Sequence, residues 1–171
     1  MDKLTEFQKE FITNCCYRMD ESVRMIEIAM EKIDETQVWQ RPNSSLNSLG
    51  NLILHLCGNM TQYGIDSLKD QADRRDRDAE FHQEDGMTKA ELLQQLRETV
   101  AEVKATFSNT DTERLLAHRK VQGFDFSGIG NIIHVVEHFS YHTGQIAFWI
   151  KQLKDTPLGF YDGHDLNTKN E

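Results

Sequence analysis

The sequence lacks the features that would carry it across a membrane, staple it covalently or draw it to nucleic acid. No run of about 20 apolar residues occurs, so no transmembrane span is expected. There are three cysteines, Cys15, Cys16 and Cys57. The count is odd, two are adjacent and no CxxC pair exists, so a disulfide framework is not expected and a reducing cytoplasm is the natural compartment. Basic charge is in deficit, with 19 Lys and Arg against 28 Asp and Glu and a net charge of -9. That balance argues against electrostatic capture of nucleic acid or of an acidic membrane surface. The N-terminus, Met1-Asp2-Lys3-Leu4-Thr5-Glu6, is charged and amphipathic and does not read as a signal peptide. The phosphate-binding glycine loop, the nucleophile elbow and the dinucleotide fingerprint are all absent.

What is present is a chain of 171 residues, enough for one domain over 1–171 with a real core. Four stretches carry helical periodicity. The first runs from about Leu4 to Ile33, with Phe7, Phe11, Cys15, Ser22, Ile26, Ala29 and Ile33 at a largely 3–4 spacing. Pro42 disfavours helix at Arg41, and the Asn- and Ser-rich connector after it offers several caps for a second helix from about Leu46 to Leu68. A third begins at the capping box Thr88-Lys89-Ala90-Glu91 and continues to about Ser108. A fourth begins behind Ser127 and ends near Leu153. Lys69 to Gly86 is dense in charge and reads as a solvated linker. Extended, its residues reach roughly 60 Å, against about 35 Å for the second helix, so the linker is long enough to make helices two and three parallel. Asn109 to Phe126 reads as irregular, with a short helical turn at Glu113 to Leu116. The expected architecture is an all-α four-helix bundle.

The fourth helix organises the chain. His134, His138 and His142 are spaced four apart, and each residue of a helix turns about 100°. The apolar centre of the helix is set by Ile129, Ile132, Val135, Val136, Phe139, Ile146 and Ile150. By that arithmetic His142 lies nearest this centre, with His138 and His134 each about 40° further round. Neighbouring histidines are about 6 Å apart along the axis and can share an ion, whereas the outer two are about 12 Å apart and cannot. Geometry therefore pairs His138 with His142.

His82, His118 and His164 fall in loops and read as surface residues. His55, at the edge of the second helix's apolar stripe, alone reads as a hydrogen-bonded histidine at the core's margin. Set against the His138/His142 pair it becomes a third imidazole on a facing helix. Three neutral imidazoles make a metal site with positions left open. Such a set suits zinc, nickel, copper or iron(II). His134-Val135-Val136-Glu137-His138 also fits H-x-x-E-H, the inverted zinc-protease pattern. That reading fails because no glutamate follows Glu137 before Glu171 to act as third ligand, and Glu137 lies about 100° from His138. A di-iron carboxylate bundle fails for want of an E-x-x-H pair.

The stretches Asn47-Ser48-Leu49-Gly50-Asn51-Leu52-Ile53-Leu54-His55-Leu56 and His138-Phe139-Ser140-Tyr141-His142-Thr143-Gly144-Gln145-Ile146 carry a resemblance to the DinB-like family of metal-binding four-helix bundles, and within it to bacterial members of unassigned function. In that family one histidine near the start of helix two and the pair ending in H-x-G-Q-[IL] ligate the metal. Those positions map onto His55, His138 and His142. Thr143 stands where the family commonly has Arg, a position that is not a ligand. The resemblance implies an up-down-down-up bundle, often a homodimer, and relatives that include transferases and isomerases using a low-molecular-weight thiol such as bacillithiol or mycothiol.

Two functions are open at this point. One is an enzyme acting on a small molecule, in which a divalent metal on the three histidines activates a thiol or water for transfer or hydrolysis. The other is a non-catalytic metal-binding or interaction protein in which the metal ties helices two and four. In the first, Gln145 either supports a ligand or simply packs. His134 is read as hydrogen-bonded or surface-exposed sooner than as a proton relay, and Tyr141 and Arg119 as surface residues sooner than as substrate contacts. Cys57 reads as a core cysteine.

Overall fold

The computed structural model describes residues 2–169; Met1, Asn170 and Glu171 lie outside it. Four long helices form the body: α1 (Lys3–Glu31), α2 (Leu49–Met60), α4 (Lys89–Asn109) and α6 (Gly128–Lys154). Two short helices, α3 (Arg77–His82) and α5 (Thr112–Leu116), lie in the connections. The bundle closes as a ring in which α1 packs on α6 and α4, and α2 packs on α4 and α6. The core between them is built from the expected stripes. Ile26, Ile53, Leu56, Leu96, Val103, Phe107, Phe139 and Ile146 are fully or almost fully buried. Burying each such side chain contributes about 1.5–3 kcal/mol relative to leaving it in water. No helix of the described residues is long and apolar enough to cross a membrane.

The helix starts follow their caps. Thr88 and Glu91 form the reciprocal capping box at α4. Ser48 does the same at α2 with Asn51, so α2 begins three residues later than its periodicity suggests. Beyond Met60 the chain widens into a π-helical stretch, Thr61–Asp66, before a last α-helical turn at Ser67–Lys69. Such widening turns one face of a helix out of register with the rest, and it often sits beside functional sites.

Two segments differ from the expectations drawn above. The first is Asn109 to Phe126, read as irregular. It holds α5 and then a two-stranded antiparallel hairpin, β1 (His118–Val121) and β2 (Phe124–Ser127), paired from His118↔Ser127 to Val121↔Phe124. The two loop residues, Gln122 and Gly123, both have positive φ, at 51° and 85°. That is the primed turn whose twist matches a hairpin. Glycine adopts it readily, but glutamine rarely does, which hid the turn.

The second is Lys69 to Gly86. It is a strap rather than a solvated linker. Asn51 Nδ2 donates to the carbonyls of Glu80 (2.9 Å) and Gln83 (2.7 Å), pinning α3 against the start of α2. Further back, Gln62 Nε2 donates to Asp73 Oδ2 (2.6 Å), and Arg75 Nη1 donates to Gln62 Oε1 (2.9 Å). The strap is therefore tied at one end to the start of α2 and at the other to the π-helical stretch that follows it.

Candidate metal centre

His55 comes from α2, and His138 and His142 come from consecutive turns of α6, which packs against it. Their Nε2 atoms face one another. His55 Nε2 lies 3.2 Å from His138 Nε2, and His142 Nε2 lies 3.2 Å from the same atom. The three rings present one nitrogen each within 4.8 Å of one another. At metal–nitrogen distances of about 2.0–2.1 Å, tetrahedral ligands stand roughly 3.3 Å apart, so two edges of the triangle already have the spacing of a shared ion.

The tautomers follow from what holds the far side of each ring. Glu80 Oε2 lies 3.0 Å from His55 Nδ1. A carboxylate has no hydrogen to give, so Nδ1 carries the proton and Nε2 is a bare lone pair. Arg75 Nη2 is also 3.0 Å from that Nδ1, but its two hydrogens have acceptors in Glu80 Oε2 at 2.8 Å and the His55 carbonyl at 3.4 Å. On His142, Nδ1 donates to Gln145 Oε1 at 2.7 Å, which bares Nε2 in the same way. His138 Nε2 stands between two bare lone pairs. It can donate one hydrogen to one of them and faces the other unshielded. Its own buried Nδ1 has no partner among the described residues. A cation at the common point of the three nitrogens removes this conflict, so the donor set fits a divalent metal.

Protonation supports the same state. Burial, reinforced by the neighbouring histidines, pulls His138 down to about 3. Burial pulls His142 down to about 4, partly opposed by its bond to Gln145. Both rings are therefore neutral at pH 7, the form that ligates. Burial alone would raise the Glu80 carboxyl, but hydrogen bonds from Arg75 and His55 outweigh it and keep that group below the usual carboxylate range. The Glu80–Arg75 pair is itself buried, with the side chains 10% and 4% exposed, and Arg75 Nε donates to Glu80 Oε1 at 2.7 Å. A carboxylate behind a ligating histidine fixes its ring and raises its basicity. Glu80 holds that position here, and Arg75 holds Glu80.

Gly58 makes the approach of Glu80 possible. A Cβ on it would lie 1.9 Å from Glu80 Oε1 and 2.9 Å from Arg75 Nε. The two residues beside His55, Arg75 and Glu80, carry no signal of their own in the sequence, because both sit in a charged run that reads as a linker. Gly58, one turn of α2 from His55, was the available signal that something packs closely there.

The other residues singled out from sequence fall as follows. Gln145 Oε1 lies 2.7 Å from His142 Nδ1 and so does more than pack. His134 stays out of the cluster: its Nε2 lies 3.2 Å from Asn59 Nδ2, and its ring packs tilted against Tyr63 with centroids 4.1 Å apart. Tyr141 is exposed but stands edge-on to His142, with ring centroids 5.0 Å apart. Arg119 is committed to an ion pair with Asp70, away from the histidines. Cys57 is buried and its thiol is pushed up to about 12, as a core cysteine's would be. His82, His118 and His164 are exposed.

Above the three nitrogens a cavity of about 570 Å³ opens to solvent, with His55, His138 and His142 in its lining. Its walls are largely apolar, from Leu46, Leu52, Phe81, Phe148 and Trp149. Such a volume suits a small-molecule ligand.

Comparison with solved structures gives a DinB-like protein of Bacillus subtilis, YjoA, with a TM-score of 0.65 at 16% identity, over 89% of this chain and 96% of that one. At that identity the likeness concerns the fold, and the fold is DinB-like. No curated protein matches the sequence. The family described as "Protein of unknown function (DUF1572)" matches residues 6–159, nearly the whole length, and the chain belongs to that family.

Proposed function

We propose that this protein binds a divalent transition metal through His55, His138 and His142 and uses it in a thiol-transfer or hydrolytic reaction on a small molecule. The observation that carries the reading is the convergence of three Nε2 atoms, those of His55 and His142 each 3.2 Å from that of His138 and both bared by hydrogen bonds to Glu80 and Gln145. A metal held there would act as a Lewis acid and lower the pKa of water or of a low-molecular-weight thiol, readying it to attack an electrophile. The protein's own residues do the rest. Glu80 and Gln145 fix the rings, Arg75 keeps Glu80 ionised, and the apolar walls limit water around the reacting groups.

The competing reading is a structural metal that only ties α2 to α6. Structural zinc sites are almost always closed by four protein ligands. The cluster contains three such residues among those described, and a cavity adjoins it. Both observations favour the open site.

The test is elemental analysis of the purified protein beside single His55→Ala, His138→Ala and His142→Ala variants, with His134→Ala as control. Near-stoichiometric metal in the wild type and control, lost in the three variants, is the expected result and names the ion. Conjugation of a thiol to bromobimane then separates transfer from hydrolysis. A wild-type protein that takes up no zinc, nickel or iron after reconstitution overturns the proposal.

A further inference from the structure

The cavity over the histidines differs in charge from the rest of the molecule. The chain carries a net charge of -9, yet no Asp or Glu lines this space. Among its lining residues, Arg77 is the one Lys or Arg. Arg77 is flanked in sequence by Asp76 and Asp78, with Asp73 four residues earlier in the extended chain, and it forms no ion pair among the described residues. Two of those acids are occupied: Asp76 caps α3 through Ala79, and Asp73 accepts from Gln62. Arg77 instead lays its guanidinium over the ring of Phe81, 4.8 Å from the centroid. Phe81 in turn packs on His55, with centroids 4.7 Å apart. The cation therefore stands within roughly 10 Å of the His55 ring, as a solvent-exposed residue in the lining of the cavity.

A guanidinium held by an aromatic face keeps all its donors for a partner and offers a carboxylate a two-pronged site. The remaining walls offer flat apolar surface from Leu52, Phe148 and Trp149. We infer that the substrate of this site is a small carboxylate with an apolar, preferably aromatic, body: its carboxylate pairs with Arg77 while its reactive end lies at the three histidines. The inference rests on the proposed use of those histidines as the reacting end of the site. Arg77 is a binding and orienting residue here, with no part in the chemistry. Arg77 repels a cationic ligand, and a neutral one would leave its donors facing water.

The experiment compares phenylbutyrate with phenylbutanol, an acid and a neutral alcohol of similar length, by isothermal titration calorimetry. Each is titrated into metal-free and zinc-loaded protein, as wild type, Arg77→Gln and Arg77→Lys. The expected result is an acid that binds about tenfold tighter than the alcohol in both metal states of the wild type. That preference is lost in Arg77→Gln and partly kept in Arg77→Lys. Helical circular dichroism and zinc content of the variants confirm that they fold. Equal binding of acid and alcohol by the wild type, or binding of neither, overturns the inference. So does a preference that survives Arg77→Gln. If that surviving preference appears with zinc alone, the carboxylate sits on the metal, and the proposed function stands without Arg77. A protein that takes no zinc yet shows an Arg77-dependent preference upholds the anion site and overturns the metal reading instead.

Discussion

A single methyl group at Gly58 tests the support behind His55. In Gly58→Ala the new Cβ would lie 1.9 Å from Glu80 Oε1 and 2.9 Å from Arg75 Nε. Ordinary contact needs about 3.4 Å or more, so the carboxylate has to retreat by about 1.5 Å. Glu80 now holds His55 at 3.0 Å. A retreat of that size carries it outside hydrogen-bonding distance. The ring then loses the partner that fixes its tautomer and orientation. Losing a support of this kind weakens metal binding by roughly 10–100-fold, or about 1.4–2.8 kcal/mol. Fold stability moves less. Alanine improves the helix by about 1 kcal/mol, while displacing the strap costs about 1–3. The metal-free variant is therefore expected between about 0 and 2 kcal/mol below wild type in urea unfolding. Metal affinity is read by competition with a chromophoric chelator. In a Glu80→Ala background the same methyl meets no carboxylate and should change affinity no further, so the double-mutant cycle shows strong coupling. Zinc affinity within twofold of wild type in Gly58→Ala would refute the argument that Glu80 positions His55.

Two further outcomes follow from the site. His138 and His142 titrate lower in the folded protein than in the unfolded chain, where a histidine sits near 6.5. Below that pH the unfolded state binds more protons, so the metal-free protein should lose stability as pH falls from about 6.5 towards 4 and be insensitive to these groups from about 7 upward. Thermal midpoints across that range check it, and a midpoint that rises on acidification contradicts it. Gln145→Leu removes the acceptor from His142 Nδ1 but leaves all three ligands, so zinc affinity should fall about tenfold with near-full occupancy at excess metal. Chelator competition measures this, and complete loss of metal would mean that Gln145 is itself a ligand.

The bundle and its histidines were legible because helical periodicity reports burial directly. His138 and His142 share a turn-to-turn line on an apolar helix, and Leu52, Ile53 and Leu56 fix the face from which His55 projects. The capping pair Thr88 and Glu91 marks the start of α4 to the residue. Arg75 and Glu80 were not legible, for a physical reason. A charged side chain buried against its opposite and one dissolved in water are the same letter, and in Asp73-Arg74-Arg75-Asp76-Arg77-Asp78 nothing in the pattern distinguishes them. Phe81, the one large apolar residue between Asp70 and Gly86, was the trace of a segment that packs. The hairpin escaped for a different reason. Its turn places Gln122 at a φ of 51°, where asparagine or aspartate would have given the signal.

The strap between Asp73 and Gln83 gives the centre a clock separate from that of the bundle. It is fastened by hydrogen bonds and one buried ion pair, with little apolar surface beyond Phe81. Segments attached in this way open locally at far less cost than global unfolding. Each opening takes Glu80 away from His55 while the hydrophobic core stays shut. An ion held by the three histidines would then exchange at a rate that depends on how often a short polar ribbon lifts, while the helices stay folded.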